Sequence, residues 1–91
     1  MAIKIHLHAK HRHHTNGQKT VKIEGAETVG EALDRLINQY PNMKKELFDK
    51  KGQLSDHIEI YLNNVSAYPE ELEKTLKDGD EVQLIALLAG G

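Results

Sequence analysis

The chain has 91 residues, with 12 Lys plus Arg against 14 Asp plus Glu and a formal net charge of −2. That length bounds it to one domain with a single core, and the near balance of charge lacks the basic footprint of a nucleic-acid binder. No stretch approaches the ~18 apolar residues of a membrane span, and with no cysteine there is neither a disulfide framework nor thiol chemistry; a cytoplasmic protein without nucleic-acid or membrane partners is expected.

The amino terminus puts Ile3, Ile5, Leu7 and Ala9 on one side and Lys4, His6, His8 and Lys10 on the other. A period of two predicts a half-buried strand and is unlike the apolar block of a signal peptide. Thr15-Asn16-Gly17-Gln18 is a turn cluster, since Asn-Gly adopts positive φ at little cost, and Val21 and Ile23 resume the alternation. The two segments predict a hairpin with a wide loop. Thr28-Val29-Gly30-Glu31 then offers a helix cap, with Thr28 accepting from the next amides and Glu31 reaching back. Val29, Leu33, Leu36, Ile37 and Tyr40 follow at helical spacing, Glu31, Asp34, Arg35, Asn38 and Gln39 face away, and Pro41 ends the helix.

Met43 to Phe48 is expected as a short helical turn that sends Leu47 and Phe48 inward, and Asp49-Lys50-Lys51-Gly52 as a loop. Ile58, Ile60 and Leu62 alternate with Glu59, Tyr61 and Asn63 in a third strand, and Asn63-Asn64 turns into a short segment at Val65. Pro69 opens a short helix or 3-10 connection through Leu76. Asp78-Gly79-Asp80 turns the chain into a last strand from Glu81 to Leu88. This order predicts an α+β domain, with a mixed sheet of four to five strands covered on one face by one main helix.

Two features of the carboxyl end point to function. The chain closes on Gly90-Gly91 directly after the last strand. Without Cβ atoms such a tail takes nearly any backbone conformation and threads a narrow slot; the domain is expected over 1–89 and a flexible diglycine tail over 90–91. In the strand itself, Val82, Leu84 and Ala86 pointing at a core leave Glu81, Gln83, Ile85 and Leu87 outside, so the outward row turns apolar halfway along. Surplus apolar surface beside Leu88 and Ala89 has the character of a docking patch.

Five of the six histidines lie between His6 and His14. His6 and His8, two apart on a strand, share a face, and with His11, His13 or His14 from the loop they compose a possible zinc set. A solvated strand face and loop carrying titratable rings is the preferred reading, because no cysteine or paired carboxylate joins them, so no resident metal is expected. No nucleophile–base arrangement, phosphate-cradling glycine loop or metalloprotease spacing is present. Glu70-Glu71, Asp78 and Asp80 read as solvated charge, and the chain shows no catalytic site of its own.

The hairpin, the helix start Thr28-Val29-Gly30-Glu31-Ala32-Leu33, the turn Lys77-Asp78-Gly79-Asp80-Glu81-Val82 and the end Ala89-Gly90-Gly91 together resemble the MoaD/ThiS family of ubiquitin-like sulfur carriers over essentially the whole chain. The resemblance implies a β-grasp fold in which the first and last strands pair in parallel at the sheet centre. It also implies that an E1-like enzyme, using ATP and Mg, adenylates the Gly91 carboxylate and that a sulfur donor displaces AMP to leave a thiocarboxylate. Gly91 would bear the sulfur, Gly90 and Ala89 would give clearance, and Ile85, Leu87 and Leu88 would dock the activating enzyme and the sulfur-accepting biosynthetic enzyme. The chain would be their cosubstrate, with no cofactor of its own. His14-Thr15-Asn16-Gly17-Gln18-Lys19-Thr20-Val21 and Ile60-Tyr61-Leu62-Asn63 look closest to the CysO-like branch, which serves cysteine synthesis, with related carriers serving homocysteine synthesis. A molybdopterin synthase small subunit, a ubiquitin-like protein modifier and a non-catalytic interaction domain are the alternatives.

Overall fold

The computed structural model describes residues 1–87. The expected Leu88, Ala89 and diglycine tail positions lie outside the described residues. Five strands form one sheet in the order β2-β1-β5-β3-β4, with β1 at Ala2–His6, β2 at Thr20–Glu24, β3 at Ile58–Leu62, β4 at Val65–Ser66 and β5 at Glu81–Ala86. Helix α1 spans Val29–Gln39 and a single turn, α2, spans Lys44–Leu47. The sheet is mixed: β1 pairs antiparallel with β2 and parallel with β5, and β3 pairs antiparallel with both β5 and β4. This is the β-grasp arrangement, with the first and last strands side by side at its centre.

Period-two alternation places Ile3, Ile5, Val21, Ile23, Ile60, Val82 and Leu84 on the inner face, none more than 4% exposed. Against that face α1 buries Val29, Ala32, Leu33 and Leu36 completely. Its first turn is capped as the sequence predicts: the Glu31 amide donates to Thr28 Oγ1 at 3.2 Å. Glu31 also reaches back, but its Oε1 accepts from the Glu27 amide at 2.9 Å, one residue before the cap. Gly30 in α1 leaves room for the neighbouring turn, since a Cβ there would sit 3.1 Å from the Leu72 carbonyl oxygen. That contact draws the 3-10 turn Glu71–Glu73 onto the helix.

Several boundaries differ from the sequence reading. The first strand stops at His6, and its expected continuation becomes a 3-10 helix over Ala9–Thr15, so Ala9 is exposed. His8 caps this helix, its Nδ1 accepting from the Lys10 amide at 3.1 Å. The turn follows at Asn16 and Gly17, whose φ values of 56° and 82° fit the Asn-Gly signal. Asn63 and Asn64 turn with φ of 51° and 70°, and the Pro69 connection shrinks to Glu71–Glu73. The last strand ends at Ala86, short of the expected Leu88. Among the described residues no helix is long and apolar enough to cross a membrane.

Candidate functional site: the exit of the central strand

β5 sits between β1 and β3, but its two neighbours do not follow it equally far. The parallel register with β1 ends at His6 opposite Gln83, whereas the antiparallel register with β3 continues through Glu59 opposite Ile85 and Ile58 opposite Ala86. Beyond Gln83 the strand therefore has a partner on one side only. β1 leaves the sheet at this level because the chain folds into the 3-10 helix capped by His8. One further hydrogen bond, from the Leu87 amide to the His57 carbonyl at 2.8 Å, holds the backbone to the end of the described chain. β5 is therefore held by β3 alone over its last described residues.

Side chains around this exit follow the predicted alternation. Val82, Leu84 and Ala86 are buried, while Ile85 is 37% and Leu87 40% exposed. Ile85 borders a shallow groove on the outer face of the sheet with Glu59, Tyr61, Asn64 and Gln83, and Leu87 borders a second with Leu54, Ile58 and Tyr68. Two exposed apolar residues had no functional reading in the sequence: Tyr68 at 75% and Val65 at 68%. Their only sequence signal was large apolar character in a short segment between turns, which resembles any edge strand. The Glu59 carboxylate beside Tyr61 raises its phenol above the ordinary range.

The base of β5 is held by polar contacts. Asn63 donates through Nδ2 to Asp80 Oδ1 at 3.0 Å and accepts from the Glu81 amide at 2.9 Å, while the Lys77 amide donates to Asp80 Oδ2 at 2.8 Å. Gln83 and Asn64 are joined through their side-chain amides. These contacts tie β3 to β5 on the solvent side, so the groove beside Ile85 rests on paired strands, whereas the groove beside Leu87 is lined largely by the loop residues Leu54, Ser55, Asp56 and Tyr68.

The zinc set suggested by the histidine spacing is not assembled. His6 is engaged by Thr20 Oγ1, 3.1 Å from Nδ1, and by Glu81 on its other nitrogen. His8 is used as the helix cap, and His11 is buried at 2% exposure. The chain turns immediately after His6, so His8 no longer shares its strand face. Among the described residues no group of three His, Cys, Asp or Glu side chains is placed to hold a metal ion. Instead His11 and His14 face one carboxylate, with Nε2 of each at 3.7 and 3.4 Å from Glu46. Burial pushes the His11 pKa below the ordinary imidazole value, outweighing the opposing pull of Glu46, and His8, His14 and Lys10 add to the lowering.

A five-stranded β-grasp sheet with a helix packed on one face defines a ubiquitin-like protein. The ThiS family profile matches residues 5–91, and the chain belongs to that family of ubiquitin-like sulfur carriers and modifiers. Small archaeal modifier protein 1 of Haloferax volcanii is 35% identical over 77 residues, covering 82% of this chain and 85% of that protein. Its crystal structure superposes with a TM-score of 0.87 at 30% identity, covering all of both chains. A chain of the BexX/CysO complex of Amycolatopsis orientalis gives a TM-score of 0.85 at 29% identity, with 98% of this chain and 99% of that one covered. The structure of Mycobacterium tuberculosis CysO gives 0.83 at 26%, with 94% and 99% covered.

Proposed function

We propose that this protein is a sulfur carrier whose Gly91 carboxylate is activated by an E1-like enzyme and converted to a thiocarboxylate. The observation that carries the reading is a family match reaching residue 91 on a domain whose central strand, Glu81–Ala86, is the last element before Ala89-Gly90-Gly91 in the sequence. In the activating step a carboxylate oxygen of Gly91 attacks the α-phosphorus of Mg-bound ATP and pyrophosphate leaves. A sulfur nucleophile then attacks the acyl carbon, AMP leaves, and the thiocarboxylate remains. A carboxylate is a poor acyl donor, and the mixed anhydride divides one difficult substitution into two easier ones. Gly90 and Ala89 let the enzyme close around the anhydride and exclude water.

In this reading the chain is a cosubstrate rather than a catalyst, and Ile85, Leu87 and Leu88 seat the activating and receiving enzymes. Ile85, held on β5 by its pairing with β3, is the support for that role, because an apolar group on a fixed strand loses little freedom on docking. The favoured recipient is an enzyme that builds cysteine or homocysteine. This rests on the resemblance to the CysO branch, and the similarity to CysO chains agrees with it. The likeness to a protein named as a modifier supports a second reading, attachment of Gly91 to lysines of other proteins. The two share the adenylation step and diverge afterwards.

The test is to isolate the protein from its host, treat it with a thiol-alkylating reagent and measure intact mass. With no cysteine in the chain, rapid alkylation mapped to the carboxyl-terminal peptide identifies a Gly91 thiocarboxylate. Recovery in amide linkage to other proteins selects the modifier reading. An unmodified terminus after incubation with the host's E1-like enzyme, ATP and a sulfide source overturns both. Deleting Gly91 is expected to abolish adenylation with an unchanged melting temperature.

A further inference from the structure

The helical layer carries a second surface, on the opposite side of the sheet from the exposed Ile85 face. From α2 to the turn that follows it, Lys44, Lys45, Lys50 and Lys51 are all exposed within eight positions. The two carboxylates of the same stretch are turned to other work. Glu46 faces His11 and His14, and Asp49 Oδ1 accepts the Lys51 and Gln53 amides at 2.8 and 3.0 Å, which builds the turn. Among the described residues, none of the four lysines has a carboxylate oxygen within ion-pair distance. A chain with a net charge of −2 therefore concentrates positive charge at one place.

Lys44, Lys45 and Lys50 rim an apolar depression, and Lys51 follows in the adjoining turn. An open groove of about 620 Å³ runs between Pro41, Asn42, Lys44, Lys45, Phe48, Asp49 and Lys50, three lysines against the one carboxylate of Asp49. It adjoins a second groove of about 490 Å³ that shares Lys44 and Phe48 and reaches Ile37 and Asp34 on α1. Phe48 and Ile37 pack on the core only in part, leaving their outer sides to form the floor. The sequence predicted Phe48 to turn inward, and it does so incompletely because the chain extends at Phe48, with φ −126° and ψ 144°, where α2 ends.

We infer that this groove docks an acidic peptide segment of a protein partner, with an aromatic or large aliphatic side chain of that segment seated on Phe48 and Ile37 and its carboxylates met by the four lysines. Charge complementarity selects an acidic occupant, and the apolar floor selects a side-chain anchor. A nucleic-acid strand is disfavoured by the single aromatic ring, which offers no series of stacking platforms, and by the absence of an arginine fork for phosphate. This groove and its neighbour share no lining residue with the grooves beside Ile85 and Leu87.

The probe is a labelled synthetic peptide of Asp and Glu around one central Phe, titrated into the full-length 15N-labelled chain and followed by amide shifts and fluorescence anisotropy. Saturable binding with shifts confined to residues 41–52 and neighbouring α1 is expected. The exposed double variant Lys45→Glu/Lys50→Glu should weaken it about tenfold or more, while the same charge change on the far strand, Lys19→Glu/Lys22→Glu, should weaken it no more than about twofold. Replacing the peptide's Phe by Ala should cost about threefold or more. Absence of saturation at millimolar peptide, shifts centred on another surface, or equal affinity of the Phe and Ala peptides would each overturn the inference. Tighter binding of an oligothymidylate at the same amides would overturn it in favour of a nucleic-acid surface.

Discussion

Two neighbouring residues of β5 separate folding from docking. Leu84 is 1% exposed and lies opposite Ile60, whereas Ile85 is 37% exposed and lies opposite Glu59. Truncating a buried leucine costs about 2–5 kcal/mol, because the lost transfer energy adds to the cavity left behind. A 91-residue domain has roughly 5–14 kcal/mol of stability in all. Leu84→Ala at about 3 kcal/mol is thus expected to lower the melting temperature by roughly 12–24 °C. Ile85→Lys should behave differently. It loses only part of the ~1.5–3 kcal/mol of a fully buried isoleucine, the lysine stem still covers the sheet, and a cross-strand pair with Glu59 returns about 0.2–1 kcal/mol. The net change should stay within about 1 kcal/mol. Thermal melts should be run beside ATP–pyrophosphate exchange with the host's E1-like enzyme, well below both melting points. Leu84→Ala should melt early and exchange normally. Ile85→Lys should melt like the parent and lose about tenfold in exchange efficiency, expressed in KM for the carrier. Unchanged exchange by Ile85→Lys would refute docking at the strand exit, and an unshifted melt of Leu84→Ala would refute the burial argument.

Thr28→Ala removes the cap that accepts from the Glu31 amide and should cost about 1 kcal/mol in urea unfolding; a loss under a few tenths would mean that the Glu31–Glu27 contact alone holds the helix start. Asn63→Gly keeps the positive φ but deletes the side-chain bonds to Asp80 and Glu81, so a loss of about 1–2 kcal/mol is expected, and a neutral result would show those bonds to be no better than water. His11 gives a pH dependence whose sign follows from its lowered pKa. Above the unfolded value of 6.5 both states are neutral at this ring. Below it the unfolded chain takes up a proton that the folded chain resists, so stability falls as pH drops through 6.5 toward the folded value. Urea midpoints should decline over that window in the parent and decline less in His11→Gln; parallel declines would remove His11 as the cause.

Much of the fold was legible because local periodicity and cap chemistry act over a few residues. Alternation in Ile3 to Leu7 and Val82 to Ala86, the helical stripe from Val29 to Leu36 and the Asn16-Gly17 turn each report their own environment, and each stands as read. The exposed pair Ile85 and Leu87 was legible for the same reason. What misled was length: strands were expected to run on to Ala9 and Leu88, since nothing apolar or polar in His8 or Leu87 says where a neighbouring strand stops.

The residue pattern by itself determined the element types, the inward and outward rows and the diglycine end, because side-chain period and backbone freedom are properties of the chain alone. Only the tertiary structure decided that β1 quits its pairing at Gln83 and leaves the β5 exit open on one side. It alone scattered the histidines among a cap, a strand contact and a pair facing Glu46, and it alone brought Ile37 of α1 beside Phe48 in the groove that Lys44 borders. The reason is physical: burial, charge proximity and strand pairing depend on distances between segments far apart in sequence, and those distances exist only once the core has closed.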